Sequence, residues 1–262
     1  MPILPEFIHS DDPTLSPSQI NAYLMCPLKY RFNYIDKLPR PWKSAALAFG
    51  SAVHSALEAW QMSRLSGEEI SADEVEGIFL ADWESEKVGD VRFKDDEESG
   101  TLMEKGRQLV RLAMDTLRPD LPLAVELPFV VDLPQWDIDV PPVKLRGIFD
   151  LLLPGNRLVE IKTASKRFDP WTLERHIQLS AYAYAHDKLM GTIPDLEIVT
   201  LLKTKVSKVE VVRAHRKPED MDWFLGLVHQ VHAAIVHRSF FPCPSFLCGD
   251  CEFVDNCRAW SG

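Results

Sequence analysis

Two short segments near the middle of the chain combine acidic side chains with a lysine. The first is Gly147-Ile148-Phe149-Asp150 and the second is Glu160-Ile161-Lys162. Two carboxylates from adjacent strands can hold a hard divalent cation such as Mg²⁺ or Mn²⁺ and leave coordination sites for phosphate and water. Lys162 would share a strand face with Glu160, because strand side chains alternate, and could orient the attacking water. These residues suit metal-dependent hydrolysis of a phosphodiester.

This chemistry requires a particular turn between the two segments. Asp150 and Glu160 face each other only if the strand pairing is symmetric about Gly155, which implies an odd-length loop such as Pro154-Gly155-Asn156, or a bulge. A slip of one residue would move one set of side chains to the other face. The alternative is an ordinary amphipathic hairpin whose polar residues face water, since Asp followed by Glu-x-Lys is common.

The cysteines form a second constellation. Cys248, Cys251 and Cys257 give a C-x2-C-x5-C run, while Cys26 lies far upstream. A zinc site would more often offer two local pairs, whereas three clustered thiolates and one distant thiolate suit an iron–sulfur cluster. Unliganded buried thiols and zinc remain alternatives. Cys243 is an extra thiol, either buried or a substitute ligand.

The charge of the chain is unevenly distributed. The net charge is −10, and the segment 66–98 alone contains thirteen acidic and three basic residues. The rest of the chain is neutral, so the acidic balance does not argue against binding of a nucleic acid. We expect no secretory signal in residues 1–12 and no membrane span, because no apolar run approaches about 20 residues. The protein is therefore expected to be cytoplasmic.

The pattern of helices and strands predicts an α/β core with a helical insertion. A capping box at Ser16, with Pro17 and Gln19, should open a helix that runs to about Asp36. Further helices are expected at 44–64, 71–90, 97–117, 170–190 and 218–237, and strands at 123–133, 143–153, 157–163, 197–203 and 209–214. Residues 1–13 should form an irregular arm, 14–262 a single domain with an insertion at about 66–118, and 243–262 a tail stapled to Cys26.

Four motifs occur in a fixed order along the chain: Gly50-Ser51-Ala52-Val53-His54, Gly147-x-x-Asp150, Glu160-x-Lys162 and Gln178-x-x-x-Tyr182. Together they resemble the RecB-like branch of the PD-(D/E)xK nucleases, which includes CRISPR-associated exonucleases and helicase–nuclease subunits. The resemblance runs from about Leu15 to Cys257. It implies a restriction-endonuclease-like core, in which helices flank a central mixed β-sheet.

The resemblance also assigns roles to individual residues. His54, Asp150 and Glu160 would be metal ligands, the Ile161 carbonyl a further ligand, and Lys162 the catalytic lysine. Gln178 and Tyr182, which share a helix face, would line the site and touch DNA, although they could equally be an amphipathic helix face. A lone histidine such as His54 is otherwise more often a packed core residue.

Two further expectations concern the metal sites. Glu126, on the strand before Asp150, either adds a metal or water contact or is a solvated strand residue. The cysteine arrangement resembles the iron–sulfur subgroup of the same branch, and this likeness implies a [4Fe-4S] cluster held by Cys26, Cys248, Cys251 and Cys257. The cluster should be structural, because it would fix a tail with little core of its own.

The expected function is a metal-dependent DNA exonuclease acting on single-stranded or unwound ends. The resemblance implies recombination, repair or end processing, with a helicase or a CRISPR-adaptation protein as a partner and a homo-oligomer as a further option. Basic and aromatic residues around the first helix and the active strand could hold the DNA backbone. Two alternatives stay open: a non-catalytic DNA-binding or assembly subunit with the same fold, and a zinc-stapled structural protein.

Overall fold

The protein is described by a computed structural model, which covers residues 13–94 and 97–262. The predicted arm at 1–13 lies outside these residues except for Pro13. The α/β class is confirmed, because helices flank both faces of a central mixed sheet. Its strands are β1 (Thr14–Leu15), β4 (Ala124–Asp132), β5 (Lys144–Leu153), β6 (Arg157–Ala164), β7 (Asp195–Leu202) and β8 (Lys208–Ala214), and a separate two-stranded pair is formed by β2 (Lys43–Ser44) and β3 (Val91–Arg92).

The helices occupy the segments between these strands. They are α1 (Pro17–Met25), α2 (Pro27–Tyr30), α3 (Ala45–Ser66), α4 (Ala72–Glu86), α5 (Ser99–Leu117), α6 (Pro170–Glu174), α7 (Ile177–Met190), α8 (Pro218–Val236) and α9 (Val254–Arg258), with a π-helical turn at Arg31–Ile35 and a 3₁₀ turn at Phe246–Asp250. The predicted capping box of α1 is present: Ser16 and Gln19 exchange hydrogen bonds of 2.9 and 3.2 Å.

Two helices predicted as continuous are broken. The helix expected from Ser16 to Asp36 ends at Met25, because Pro27 lacks an N–H and disfavours helical backbone at Cys26, which is extended with φ −164°. The helix expected at 170–190 is divided at Arg175, and His176 caps α7 through a hydrogen bond from Leu179 N–H to its Nδ1 atom at 3.4 Å. Both breaks lie beside the candidate sites and set the direction of the following helix.

The sheet separates two hydrophobic cores. On one face, which we call the α7 face, residues of α1, α7 and α8 pack against Phe149, Leu158 and Ile198. On the other, the α3 face, residues of α3, α4 and α5 pack against Leu151, Val159 and similar side chains of β6 and β7. The parallel pairing of β6 with β7 places β6 at the centre of the sheet, buried on both faces.

The turn between β5 and β6 has the register that the sequence requires. Leu153 pairs with Arg157 and Leu151 with Val159, so the loop is Pro154-Gly155-Asn156 and the pairing is symmetric about Gly155. Gly155 and Asn156 have positive φ angles of 78° and 60°, which glycine and asparagine tolerate best. Asp150 and Glu160 therefore lie at equivalent positions of neighbouring strands.

Candidate active site

The candidate site lies where β5 and β6 separate. Their ladder contains three residue pairs and ends, counting away from the turn, at Leu151↔Val159. Asp150 and Glu160, the next residues, do not form a ladder pair. In place of a further pair, an Asp150 carboxylate oxygen accepts a hydrogen bond of 2.8 Å from the Ile161 N–H. This bond fixes the Asp150 side chain in the fork between the strands, where it is 8% exposed.

His54 reaches the same fork from α3. Its Nε2 atom lies 2.8 Å from the Ile161 carbonyl oxygen, and its Nδ1 atom lies 4.0 Å from Asp150 Oδ2. Gly50, one turn earlier, is close enough to β6 that an added Cβ would lie 3.3 Å from Thr163 Oγ1. The glycine and the following alanine let the helix approach the strand, which explains why they precede the histidine.

Glu126 also points into the fork, and it distorts the sheet where it does so. Its φ is 47°, a left-handed value that is costly for a non-glycine residue. The pairs on either side of it, Val125↔Leu151 and Leu127↔Phe149, are intact, so Glu126 stands opposite Asp150. The resulting break in the ladder separates the two carboxylates from the regular sheet.

The distortion changes the side-chain alternation of both strands. Phe149 packs on the α7 face and Leu151, two residues later, on the α3 face, although a regular strand would place both on one face. Likewise, Leu127 packs on the α7 face and Val125 packs on the α3 face. Backbone held in a sparsely populated conformation is concentrated at functional sites.

Three ligand atoms converge at this point. One atom each from His54, Glu126 and Asp150 lies within 4.8 Å of the others, and this is the one such group among residues 13–94 and 97–262. Burial, followed by Asp150, Glu58 and Glu160, raises the pKa of Glu126 to about 7. Burial lowers the pKa of His54, which favours the neutral imidazole that a metal requires.

Glu160 lies beside this group but does not belong to it. Its oxygens fall outside the 4.8 Å set, but burial and the neighbouring Asp150 carboxylate both raise its pKa. Lys162 forms an ion pair with Oε1 of Glu160, whereas the buried Oε2 has no hydrogen-bond partner among the described residues. A buried carboxylate oxygen without a partner is unfavourable, and a divalent cation would satisfy it. The residues present therefore fit a hard cation.

Gln178 and Tyr182 meet the site from the α7 face. Gln178 Nε2 donates a 2.8 Å hydrogen bond to the Tyr182 hydroxyl oxygen. Burial raises the pKa of Tyr182, and the Glu160 and Asp150 carboxylates raise it further. The phenol thus stays protonated close to both acids. The helical spacing of these two residues had indicated a common face, and the structure places that face against the carboxylates.

Glu58 is a neighbour that the sequence did not single out. It is exposed on α3, one turn after His54, and its charge acts on both His54 and Glu126. The spacing of four residues from His54 was the available signal, because residues four apart share a helix face.

A family model of the PD-(D/E)XK nuclease superfamily matches residues 14–258, nearly the whole chain. The chain belongs to the PD-(D/E)XK nuclease superfamily. Membership confirms, at the level of the superfamily, the resemblance noted from the four ordered motifs. No curated protein sequence matches the chain significantly.

One solved structure supports the fold of this nuclease. A protein from Eubacterium rectale, described provisionally as an exonuclease, aligns with a TM-score of 0.55 at 13% identity, covering 99% of this chain and 93% of its own. The structure of SSO0001 aligns with a TM-score of 0.41 at 10% identity, covering 92% and 95%. The first likeness concerns the fold alone, and the second is too weak to support a conclusion.

All five cysteines of the nuclease line one cavity of about 120 Å³ between α2 and the C-terminal tail. Burial raises the pKa of Cys257, and Cys26, Cys251 and Cys248 raise it further. Backbone N–H groups face two of the sulfurs: Cys243 N–H lies 3.5 Å from Cys26 Sγ and Ser245 N–H lies 3.3 Å from Cys248 Sγ. The four thiols expected to act together thus surround a common space.

Within the described residues, the tail also contacts α2 and the π-helical turn that follows it. Phe253 packs with Leu28 and Phe32 in a small apolar cluster, and Lys29 forms a 2.7 Å ion pair with Glu252.

None of the described helices has the length and apolarity that a bilayer crossing needs.

Proposed function

We propose that this nuclease is a Mg²⁺- or Mn²⁺-dependent deoxyribonuclease whose cation is held by His54, Asp150, Glu160 and the Ile161 carbonyl. The observation that carries the proposal is the convergence of His54 and Asp150 on the backbone of Ile161, where His54 meets the carbonyl and Asp150 accepts from the N–H. Glu126 is a further ligand, because its carboxylate lies within 4.8 Å of both side chains. The unpartnered Glu160 Oε2 supplies the remaining negative charge.

When bound, the cation would polarise the scissile phosphate and lower the pKa of a bound water. The protein contributes the arrangement of the other groups. Lys162 is held by Glu160 on the face that also carries Tyr182, where its ammonium group can orient the attacking water and balance charge on the phosphate. His54 is partly buried, which lowers its pKa and favours the neutral imidazole, so it can act as a ligand rather than a competing cation.

The substrate that fits this site best is DNA with a single-stranded or unwound end. Gln178 and Tyr182 lie beside the carboxylates and would contact the strand that enters the site. By resemblance to the RecB-like branch, we assign the activity to recombination, repair or end processing, together with a helicase or CRISPR-adaptation partner.

Digestion of end-labelled DNA in Mn²⁺ tests the catalytic proposal. Lys162→Ala and Asp150→Ala should each lower cleavage of a linear single strand by about a hundredfold or more. Lys188→Ala, at the far end of α7, is the matched control and should cleave like the wild type. A covalently closed circular strand should resist an exonuclease. Equal cleavage by the wild type and both site variants contradicts the proposal.

We also propose that Cys26, Cys248, Cys251 and Cys257 hold a [4Fe-4S] cluster. A tetrahedral zinc ion with bonds of about 2.3 Å would bring its thiolates to roughly 3.8 Å from one another. No three thiols of the described chain lie within 4.8 Å of one another, although all of them line one cavity, so a group larger than a single ion fits better. The cluster would fasten the tail to the break between α1 and α2.

Colour separates the cluster from zinc. Protein purified without air should be brown and absorb near 400 nm, whereas a zinc protein is colourless. Cys26→Ser should remove most of this absorbance and lower the Tm of the protein. Cys243→Ser is the matched control, which should keep the colour. Equal absorbance of the wild type and the Cys26 variant rules out Cys26 as a ligand.

A further inference from the structure

A second concave surface lies beside the candidate active site. A groove of about 550 Å³ opens between α6, the end of β8 and the start of α8. Its lining contains four permanent cations, namely Arg175, Arg213, Arg216 and Lys217, and two acids, Glu174 and Asp220. The groove is positive, although the chain as a whole carries a net charge of −10.

Arg216 forms the fixed part of this groove. It is 6% exposed, and its guanidinium donates to Ser180 Oγ at 2.9 Å, the Leu173 carbonyl at 2.7 Å and the His215 carbonyl at 3.0 Å. All of these partners are neutral, and Arg216 forms no ion pair within the part of the chain that the structure describes. Asp220 and Glu174 act on its charge only from beyond ion-pair distance, and Arg175 opposes them, so an anion in the groove would supply a direct charged partner.

The groove adjoins the active site through His176. Arg216 Nη2 lies 3.5 Å from the His176 carbonyl, and Phe168, which lines the groove, packs edge-on against the His176 ring at 5.7 Å. Lys162 also acts electrostatically on the His176 imidazole. His176 therefore contacts the groove and lies within electrostatic range of the catalytic lysine.

Exposed aromatic rings flank the cations. Trp171 on α6 is 75% exposed, and the Arg175 guanidinium lies 4.6 Å from the ring centre of Trp223. Exposed aromatic faces beside arginines are suited to stacking with unpaired bases, in addition to the contacts that cations make with phosphates.

We propose that this groove binds the sugar–phosphate backbone of the substrate strand next to the scissile phosphate. The inference rests on the proposed nuclease function and adds a binding site to it. Such contacts hold the strand in place without reading its sequence, because phosphates are the same at every nucleotide. They make binding strongly dependent on salt.

The test removes two groove cations that are exposed, Arg175 and Lys217. Arg175→Gln/Lys217→Gln is compared with Lys188→Gln/Arg238→Gln, which removes the same charge from the opposite ends of α7 and α8. Binding of a fluorescent oligothymidylate is measured by anisotropy between 50 and 200 mM salt, in a Lys162→Ala background that prevents cleavage.

Each lost phosphate contact should reduce the slope of log K against log salt by about 0.7 for a single strand. The groove variant should therefore lose about 1.4 from its slope, and the control should lose none. With active protein, the groove variant should raise KM for long single strands and leave kcat within about twofold.

The outcomes separate this inference from the nuclease proposal. An unchanged slope in the groove variant, or an equal change in the control, overturns the groove even if the wild type cleaves DNA. A reduced slope in a protein whose wild type fails to cleave DNA supports the groove and contradicts the proposed catalysis.

Discussion

The left-handed backbone at Glu126 makes an unusual prediction about stability. In a regular strand, glycine is less stable than alanine by about 0.5–1 kcal/mol, because it loses more chain entropy on folding. At Glu126, with φ 47°, the order should reverse, since an alanine there would keep the steric cost of its Cβ. That cost is about 1–2 kcal/mol for an L-residue in this region.

The matched pair is Glu126→Gly and Glu126→Ala. Both remove the carboxylate, so their difference isolates the backbone. Subtracting the entropy term from the steric cost leaves Glu126→Gly more stable by about 0.75 kcal/mol, within a range of about 0–1.5 kcal/mol. The same pair at Leu127, the next residue of the strand, should show the ordinary order.

Urea denaturation in EDTA measures these differences as shifts of the midpoint at constant m-value. A difference of 1 kcal/mol corresponds to about 2–4 °C in Tm for a domain of this size. Both Glu126 variants should bind Mn²⁺ more weakly than the wild type. A Glu126→Gly variant that is less stable than Glu126→Ala would refute the reasoning about the strained backbone.

Two further predictions concern the strand that carries Asp150 and the acidity of the site. Gly147→Ala should lower the free energy of unfolding, measured in urea, by about 1–3 kcal/mol, because the added Cβ would lie 2.5 Å from the Phe129 ring. Gly77→Ala is the control: its Cβ meets nothing within 4 Å, so it should instead stabilise α4 by up to about 1 kcal/mol. Equal effects of the two substitutions would contradict this packing. The rise in Tm caused by Mn²⁺ should grow between pH 5.5 and 8, because the pKa of Glu126 is about 7 in the metal-free protein and protons compete with the cation. A carboxyl whose pKa is raised on folding lowers metal-free stability as the pH rises from about 4.5 to 7, so the curves of Tm against pH with and without Mn²⁺ should diverge. Glu126→Gln should reduce this divergence. A Mn²⁺ effect that stays constant with pH would contradict the prediction.

The sequence specified the hairpin around the site because its signals are local. The Pro-Gly-Asn turn is compatible with positive φ at Gly155 and Asn156, and this turn fixes the register that aligns Asp150 with Glu160. The capping box at Ser16 was equally direct. In both cases residues within four positions of one another determine the structure.

Other features depend on contacts that no local pattern records. The strand pattern offered Glu126 as a metal or water contact, but it could not indicate the left-handed backbone at this residue, which its residue type disfavours. The two-residue strand β1 exists only because Thr14 and Leu15 meet the start of β5. The break at Cys26 was readable from Pro27, but the apolar periodicity on either side indicated a continuous helix.

The central claim is that one divalent cation is held in the fork by His54, Asp150 and Glu160. Crystals soaked with Mn²⁺ and measured at the manganese absorption edge test it directly. We expect a single strong anomalous peak within bonding distance of the His54 imidazole, the Asp150 carboxylate and the Glu160 carboxylate, and the loss of this peak in Asp150→Ala crystals. A map without a peak there, or with a peak that His54 and Asp150 do not contact, would contradict it.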